Sequence, residues 1–446
     1  MNTRRRLSLL LAVALATLGL AWTAYPLWFV ARLDVAYPLP MIHRAYLALL
    51  AAMPRALFLA AAVLAAVATA MFFDGRRKPS PRPVFPALSP WRETALYAAL
   101  LALAAGLSWR SFVYWGRPGW DHYWQFGEVL HWLLRRPDPG TLAAVGNFVA
   151  EYPHSPSPLT PFAVAWGLFI LPNSTRLLQI YSLLATAGSV ALLRAIVRRV
   201  SPGATFWPLG ALFLVNTATA RNSFFIQLDA INGLLVLLFF HLWLRWREKP
   251  TAVRLTAKTA TLVLSVFQKT SLFPLLAIPT LLSLVDDLRD RHFRLGRLLA
   301  TGFWTAAFPV ALFLIYLAMI GITQNFHTQI AIMGTGWNEL DFSLKRFVFA
   351  TGFLLGPYLP LIARNRRWRE PAQLAFALFV LLFFISIVVV RGPFWGRYYS
   401  HVIGACVLLA QPAWTREADD GARLTMWTYL IGVSALQLLM IYWFII

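Results

Sequence analysis

The chain has 446 residues, of which 59% are hydrophobic and only 13% charged, and its mean hydropathy is +0.62. Soluble domains carry about 25% charged residues, so a water-soluble globular protein is excluded. The formal charge of +22 does not point to nucleic acid either, because the basic residues sit in short clusters against apolar runs instead of forming one binding stripe.

Taken in chain order, Arg4, Arg5 and Arg6 precede an apolar run over about 7–30. It is longer than a signal-peptide core and reads as an uncleaved first span. A second span, about 45–73, leads to Arg76, Arg77, Lys78 and Arg82 in a Pro-rich link expected on the cytoplasmic side. A third span, about 94–113, opens onto residues 114–158, the longest polar stretch, expected as an extracytoplasmic loop of interfacial helices. The apolar piece 159–171 is short for a span, and a span and a re-entrant segment both remain open for it.

Spans near 176–194, 203–220 and 225–245 follow, the first closing on Arg194, Arg198 and Arg199 and the last on Arg245, Arg247 and Lys249. Two shorter apolar pieces, about 257–268 and 271–285, are split by Gln268 and Lys269. Spans near 298–320, 346–363, 372–390, 399–413 and 424–446 complete the chain, with Arg364, Arg366, Arg367 and Arg369 after the second of these. Backbone polar groups in hydrocarbon must be satisfied within each segment, so the spans are helices. The expected fold is an all-α polytopic membrane protein of about 13 transmembrane helices (12–14), one transmembrane domain over 1–446 with its N-terminus cytoplasmic. Anionic headgroups of membrane lipids are the expected partners of the basic clusters. The single cysteine, Cys406, permits no internal disulfide.

Against this basic background, the stretch GWDHYWQFGEVL places Asp121 and Glu128 two helical turns apart in an aromatic segment. Two readings stand: an interfacial amphipathic helix with solvated carboxylates, or a general base held at the interface beside a lipid-linked substrate. EYPHSPSPLTP follows, where four prolines enforce an extended turn presenting Tyr152 and His154. A divalent metal could draw on Asp121, His122, Glu128 and His154, although their spacing fits no standard ligand pattern. In ARNSFFIQLDAINGLL, Gln227, Asp229 and Asn232 open an apolar span. They serve either as interhelical hydrogen-bond formers or as a site, and an ionised Asp229 needs a partner, with Arg221 or Lys269 available. Lys269 in FQKTSLFP and Arg391, Arg397 and Tyr398 in RGPFWGRYYSH suit a phosphate, with snorkelling anchors the alternative for the two arginines. No Gly-rich phosphate loop and no internal repeat occurs, so a lipid-borne substrate is expected over a soluble nucleotide.

An acid after an early span, a Tyr-Pro turn, a span headed by Gln and Asp, a Gln-Lys pair between short helices and a late Arg-Tyr follow one another in order. That order resembles the GT-C superfamily of integral membrane glycosyltransferases, over about residues 94–410. The resemblance implies Asp121 as the catalytic base. It also implies that Phe225, Gln227 and Asn232 lie near the donor and that Lys269, Arg397 and Tyr398 approach the carrier phosphate. Glu128, Tyr152, His154, Asp229 and Arg391 are added as candidate substrate-binding residues on their own positions. The implied reaction moves a hexose or pentose from a polyprenyl-phosphate-linked sugar donor to a glycan, lipid or protein acceptor on the extracytoplasmic face, with inversion. His122 follows Asp121 where a second acid is usual, and the turn reads YPHSP where YPP is usual, so neither a metal requirement nor an acceptor class carries over. A polysaccharide polymerase or ligase is the nearer rival, although its large late outer loop is lacking; a secondary transporter of a lipid or sugar is the other.

Overall fold

The computed structural model describes residues 85–107, 176–202, 204–224, 229–319, 354–365, 367–390, 399–414, 426–435 and 437–438. Of these residues 86% are helical and none is in a strand, as a chain of apolar runs requires. The helices are α1 (Pro90–Leu107), α2 (Arg176–Val200), α3 (Trp207–Val215), α4 (Thr217–Phe224), α5 (Asp229–Glu248), α6 (Ala252–Gln268) and α7 (Pro274–Arg289). After them come α8 (Leu295–Gly302), α9 (Phe308–Met319), α10 (Leu359–Ala363), α11 (Pro371–Val390), α12 (Ser400–Trp414) and α13 (Met426–Ala435). Ile180–Val200, Asp229–Glu248 and Leu295–Tyr316 are each long and apolar enough to cross a membrane.

Prolines set the irregularities. Pro309 has no N–H to donate to the carbonyl of Thr305, and here a π turn, Phe303–Ala307, joins α8 to α9, with Phe308 N–H donating to Phe303 O. Pro412 in α12 likewise leaves the carbonyl of Leu408 without its helical donor, and Gln373 Nε2 supplies one at 3.3 Å. The neighbouring Leu409 carbonyl accepts from Asn365 Nδ2 at 3.0 Å.

The chain divides into two compact units. In one, Phe85 is buried against Trp207, Trp414 and Trp427, with ring centroids 5.0–5.5 Å apart. Trp207 Nε1 donates to Pro86 O at 2.9 Å, and Gln437 Oε1 accepts from the Thr217 N–H at 2.9 Å. Gly210 of α3 leaves room for the Tyr97 hydroxyl, which donates to Glu93.

The other unit carries the polar clusters. Its α5 packs on α2 and α6, α6 also on α9, and α7 on α8 and α11. Phe240 of α5 meets Phe376 and Phe379 of α11 edge-on, at 5.0 and 5.8 Å, in the apolar middle. Its polar residues gather at opposite ends. At one end Arg199, Arg247, Glu248, Asp286, Asp287 and Arg297 form ion pairs, and Ser201 Oγ bonds Gln411 and Arg367. The residues that open α5 and α12 and close α6 lie at the other end.

Close approach of α5 and α12 at that second end depends on Gly233, where an added Cβ would stand 3.0 Å from the Ser400 backbone oxygen. Backbone cannot swing aside as a side chain can, so Gly233→Val is expected to destabilise the bundle by about 1–3 kcal/mol. Gly404→Ala meets only the methyl end of Leu237, at 2.9 Å, and gains helix propensity of about 1 kcal/mol, so it is expected to be nearly neutral. Unfolding of the purified variants in mixed micelles checks both.

Candidate functional site

The site begins with two helix ends. Helix α6 stops at Gln268 because Lys269 turns extended, with φ −163° and ψ 131°, while its N–H still caps Ser265 O. A 3₁₀ turn, Thr270–Leu272, then hands over to Pro274, the first residue of α7, where a missing N–H is harmless. The break between the two short apolar pieces therefore falls at Lys269, and it frees that side chain from either helix. Asp229 opens α5, so its carboxylate lies at a helix N-terminus, whose dipole favours an anion.

Lys269 Nζ donates to Asp229 Oδ1 at 2.7 Å. The carboxylate is closed from solvent, with 3% of its side chain exposed, whereas the lysine keeps 29%. Arg221 and Lys269 were the two cations the sequence offered to Asp229. Lys269 is at bonding distance, and the Arg221 side chain lies outside the described residues.

Three more polar residues complete the cluster. Asn232, one turn along α5, donates from Nδ2 to Asp229 Oδ1 at 3.1 Å and sits 3.0 Å from His401 Nε2. An amide nitrogen can only donate, so Nε2 accepts and the ring proton belongs on Nδ1. Nδ1 faces Ser271 Oγ at 3.4 Å. His401 is fully buried, 3.6 Å from Asp229 Oδ1, with Phe383 of α11 edge-on to its ring at 5.6 Å. The Ser400 hydroxyl donates to the Asp229 carbonyl at 3.4 Å. Asn232 Oδ1 is buried and has no hydrogen-bond partner among the described residues. Such an atom is costly to leave unmatched and is often found at sites that complete themselves with a ligand.

Of the sequence-stated site residues, Asp229 and Lys269 are brought together here. Asp121, His122, Glu128, Tyr152, His154, Gln227, Arg391, Arg397 and Tyr398 lie outside the described residues. Asn232, set beside Asp229 in the sequence, joins Asp229 and Lys269; Ser271, Ser400 and His401 are the additions. Their signal was positional: Ser400 and His401 head an apolar run just as Asp229 heads its own, and Asn232 follows Asp229 at helical spacing. Among the described residues no group of three or more His, Cys, Asp or Glu side chains could hold a metal ion.

The arrangement offers an exposed-edge ammonium fixed by a buried anion, backed by a buried imidazole and two hydroxyls. Chemically it holds a cation in place more than it supplies a base, because Lys269 and Asn232 both donate to the carboxylate. No known protein family, curated protein or solved structure matches the chain.

Proposed function

We propose that the chain is a multi-pass membrane glycosyltransferase of GT-C type, with about thirteen spans, that transfers a sugar from a polyprenyl-phosphate carrier with inversion. One observation carries the reading: Lys269 is pinned by buried Asp229 at the end of the bundle opposite the ion-paired basic clusters. By the positive-inside tendency the end that carries the basic clusters faces the cytoplasm, and the end with Lys269 and His401 faces outside.

A lysine held as a fixed point charge suits the phosphate of a lipid carrier. The residues assigned alongside it are close in sequence. Gln227 comes two residues before Asp229, and Arg397 and Tyr398 lead directly into Tyr399 and the start of α12. In the proposed reaction Asp121 removes the proton from an acceptor hydroxyl, whose oxygen attacks the anomeric carbon. The bond from that carbon to the phosphate oxygen breaks, and its electron pair leaves with the carrier phosphate. Lys269, with Arg391 and Arg397, stabilises the charge that builds there.

The test is transfer itself. Purified protein in liposomes is given polyprenyl-phosphate sugars with lipid and peptide acceptors, and the anomeric configuration of the product is read by NMR. A product of inverted configuration is expected. Movement of the intact donor across the bilayer without bond cleavage would sink the proposal and favour a transporter.

A further inference from the structure

The basic end of the larger unit holds an open groove with a volume of about 340 Å³ between the C-terminal ends of α2 and α5 and the start of α11. That lies within the range of small-ligand sites, about 300–1,000 Å³. Two of the three helices long enough to cross a membrane, α2 and α5, end here. Aromatic Trp243 and Trp246 in the last turns of α5 match the depth of lipid headgroups.

The lining is charged but balanced. Arg199 and Arg247 face it, and so do Glu248 and Glu370. Trp243 lies buried beneath the groove, with the Arg247 guanidinium 5.4 Å from its ring centroid. Arg199 pairs with Glu248, and Arg247 with Asp286 at 3.0 Å. One donor is left over: the Arg199 Nε–H is buried and has no acceptor among the described residues. A guanidinium has five N–H donors in a planar fork, and an oxyanion is the acceptor that fits it best. On the other side Glu370 is half exposed, with 43% of its side chain open and only a loose 3.6 Å contact to Arg367 Nε.

We propose that this groove seats the headgroup of a zwitterionic phospholipid bearing a primary ammonium. Its phosphodiester oxygen accepts from Arg199 Nε–H, and its ammonium donates to the Glu370 and Glu248 carboxylates. The glycerol lies against Val200, Leu244 and Pro371, the partly exposed apolar part of the lining. Two arginines and two glutamates make the lining neutral, so an anionic lipid gains no net attraction and brings its charge close to two carboxylates. A quaternary ammonium has no N–H for the carboxylates to accept, so the choline headgroup is also disfavoured.

The experiment is native mass spectrometry of the full chain in detergent with an equimolar mixture of phosphatidylethanolamine, phosphatidylcholine and phosphatidylglycerol. Phosphatidylethanolamine is expected to be retained about fivefold over each of the others, the net effect of one ordinary hydrogen bond. Glu370→Gln removes that preference. Arg367→Gln, which breaks the same surface pair but leaves the carboxylate, keeps it. The proposal is overturned if phosphatidylglycerol or phosphatidylcholine is retained as well as phosphatidylethanolamine, or if Glu370→Gln leaves the ratio unchanged. It is overturned equally if Arg367→Gln abolishes the preference. None of these outcomes depends on transfer activity.

Discussion

Lys269→Met is expected to destabilise the protein by about 3–5 kcal/mol, the cost of leaving a buried carboxylate without its partner. Asp229 cannot turn to solvent, since only 3% of its side chain is open and its helix is packed on α2 and α6. The reverse change is milder. Asp229→Asn keeps the shape and leaves a lysine with 29% of its side chain exposed, which water can solvate, so about 1 kcal/mol is expected. The double variant Asp229→Asn/Lys269→Met removes both charges and should return close to the level of Asp229→Asn. Equilibrium unfolding in mixed micelles, run as a double-mutant cycle, measures this asymmetry. Equal losses in the two single variants would mean that the pair is not the buried-anion, exposed-cation arrangement described.

The same cycle separates structure from function. A purely structural pair predicts that the double variant, once refolded to near-normal stability, recovers whatever the protein does. The phosphate-binding reading predicts that it stays defective, because the cation is gone. One preorganised donor at a developing oxyanion is worth about 10²–10³ in rate. A double variant that is stable but transfers sugar at the normal rate would therefore remove Lys269 from the site.

Why Asp229 was legible as needing a cation, and its histidine neighbour was not, follows from what each residue type signals alone. A carboxylate heading an apolar run is expensive anywhere in a membrane protein, so the chain had to provide a cation, and few were at hand on that side. The break at Gln268–Lys269 was equally visible, since two apolar pieces too short to span alone needed a joint. Helix placement from apolar runs came close for α11, Pro371–Val390, and α12, Ser400–Trp414, within a residue or two of the expected 372–390 and 399–413, whereas the run expected as one span over 203–220 is two short helices, α3 and α4. His401 carried only its place at the head of an apolar run, a weaker signal. A histidine can be neutral, and its role depends on Asn232 and Ser271 arriving from elements 169 and 130 residues away in sequence. The π turn at Phe303–Ala307 was hidden for a similar reason. Pro309 forbids one hydrogen bond, but only the packing decides whether the helix ends, kinks or bulges. The groove at the basic end was beyond reach as well, because the positive-inside pattern predicts cationic clusters and says nothing of glutamates gathered among them.

Asp121→Asn is expected to lower the rate of sugar transfer by about 10³, within the range of 10²–10⁴ that a positioned general base contributes. The substitution keeps size and hydrogen bonding but cannot take up a proton, so the loss should fall on kcat and leave KM for the lipid donor near its normal value. Glu128→Gln, seven residues on, serves as the internal comparison. If Glu128 only orients the acceptor, its loss should appear in KM for the acceptor and stay below about tenfold in kcat. The Lys269 variants should behave in the opposite way, weakening donor binding as well as turnover, because a carrier phosphate is bound in the ground state and gains charge in the transition state. Three variants thus give three kinetic patterns, and each pattern belongs to one role. If Asp121→Asn unfolds like the parent protein and transfers sugar at the parent rate, the base is not Asp121. If Lys269→Met alone still weakens the donor, the phosphate site survives that failure, and the base must be sought among the other carboxylates of the stretch 114–158 expected outside, Asp138 and Glu151.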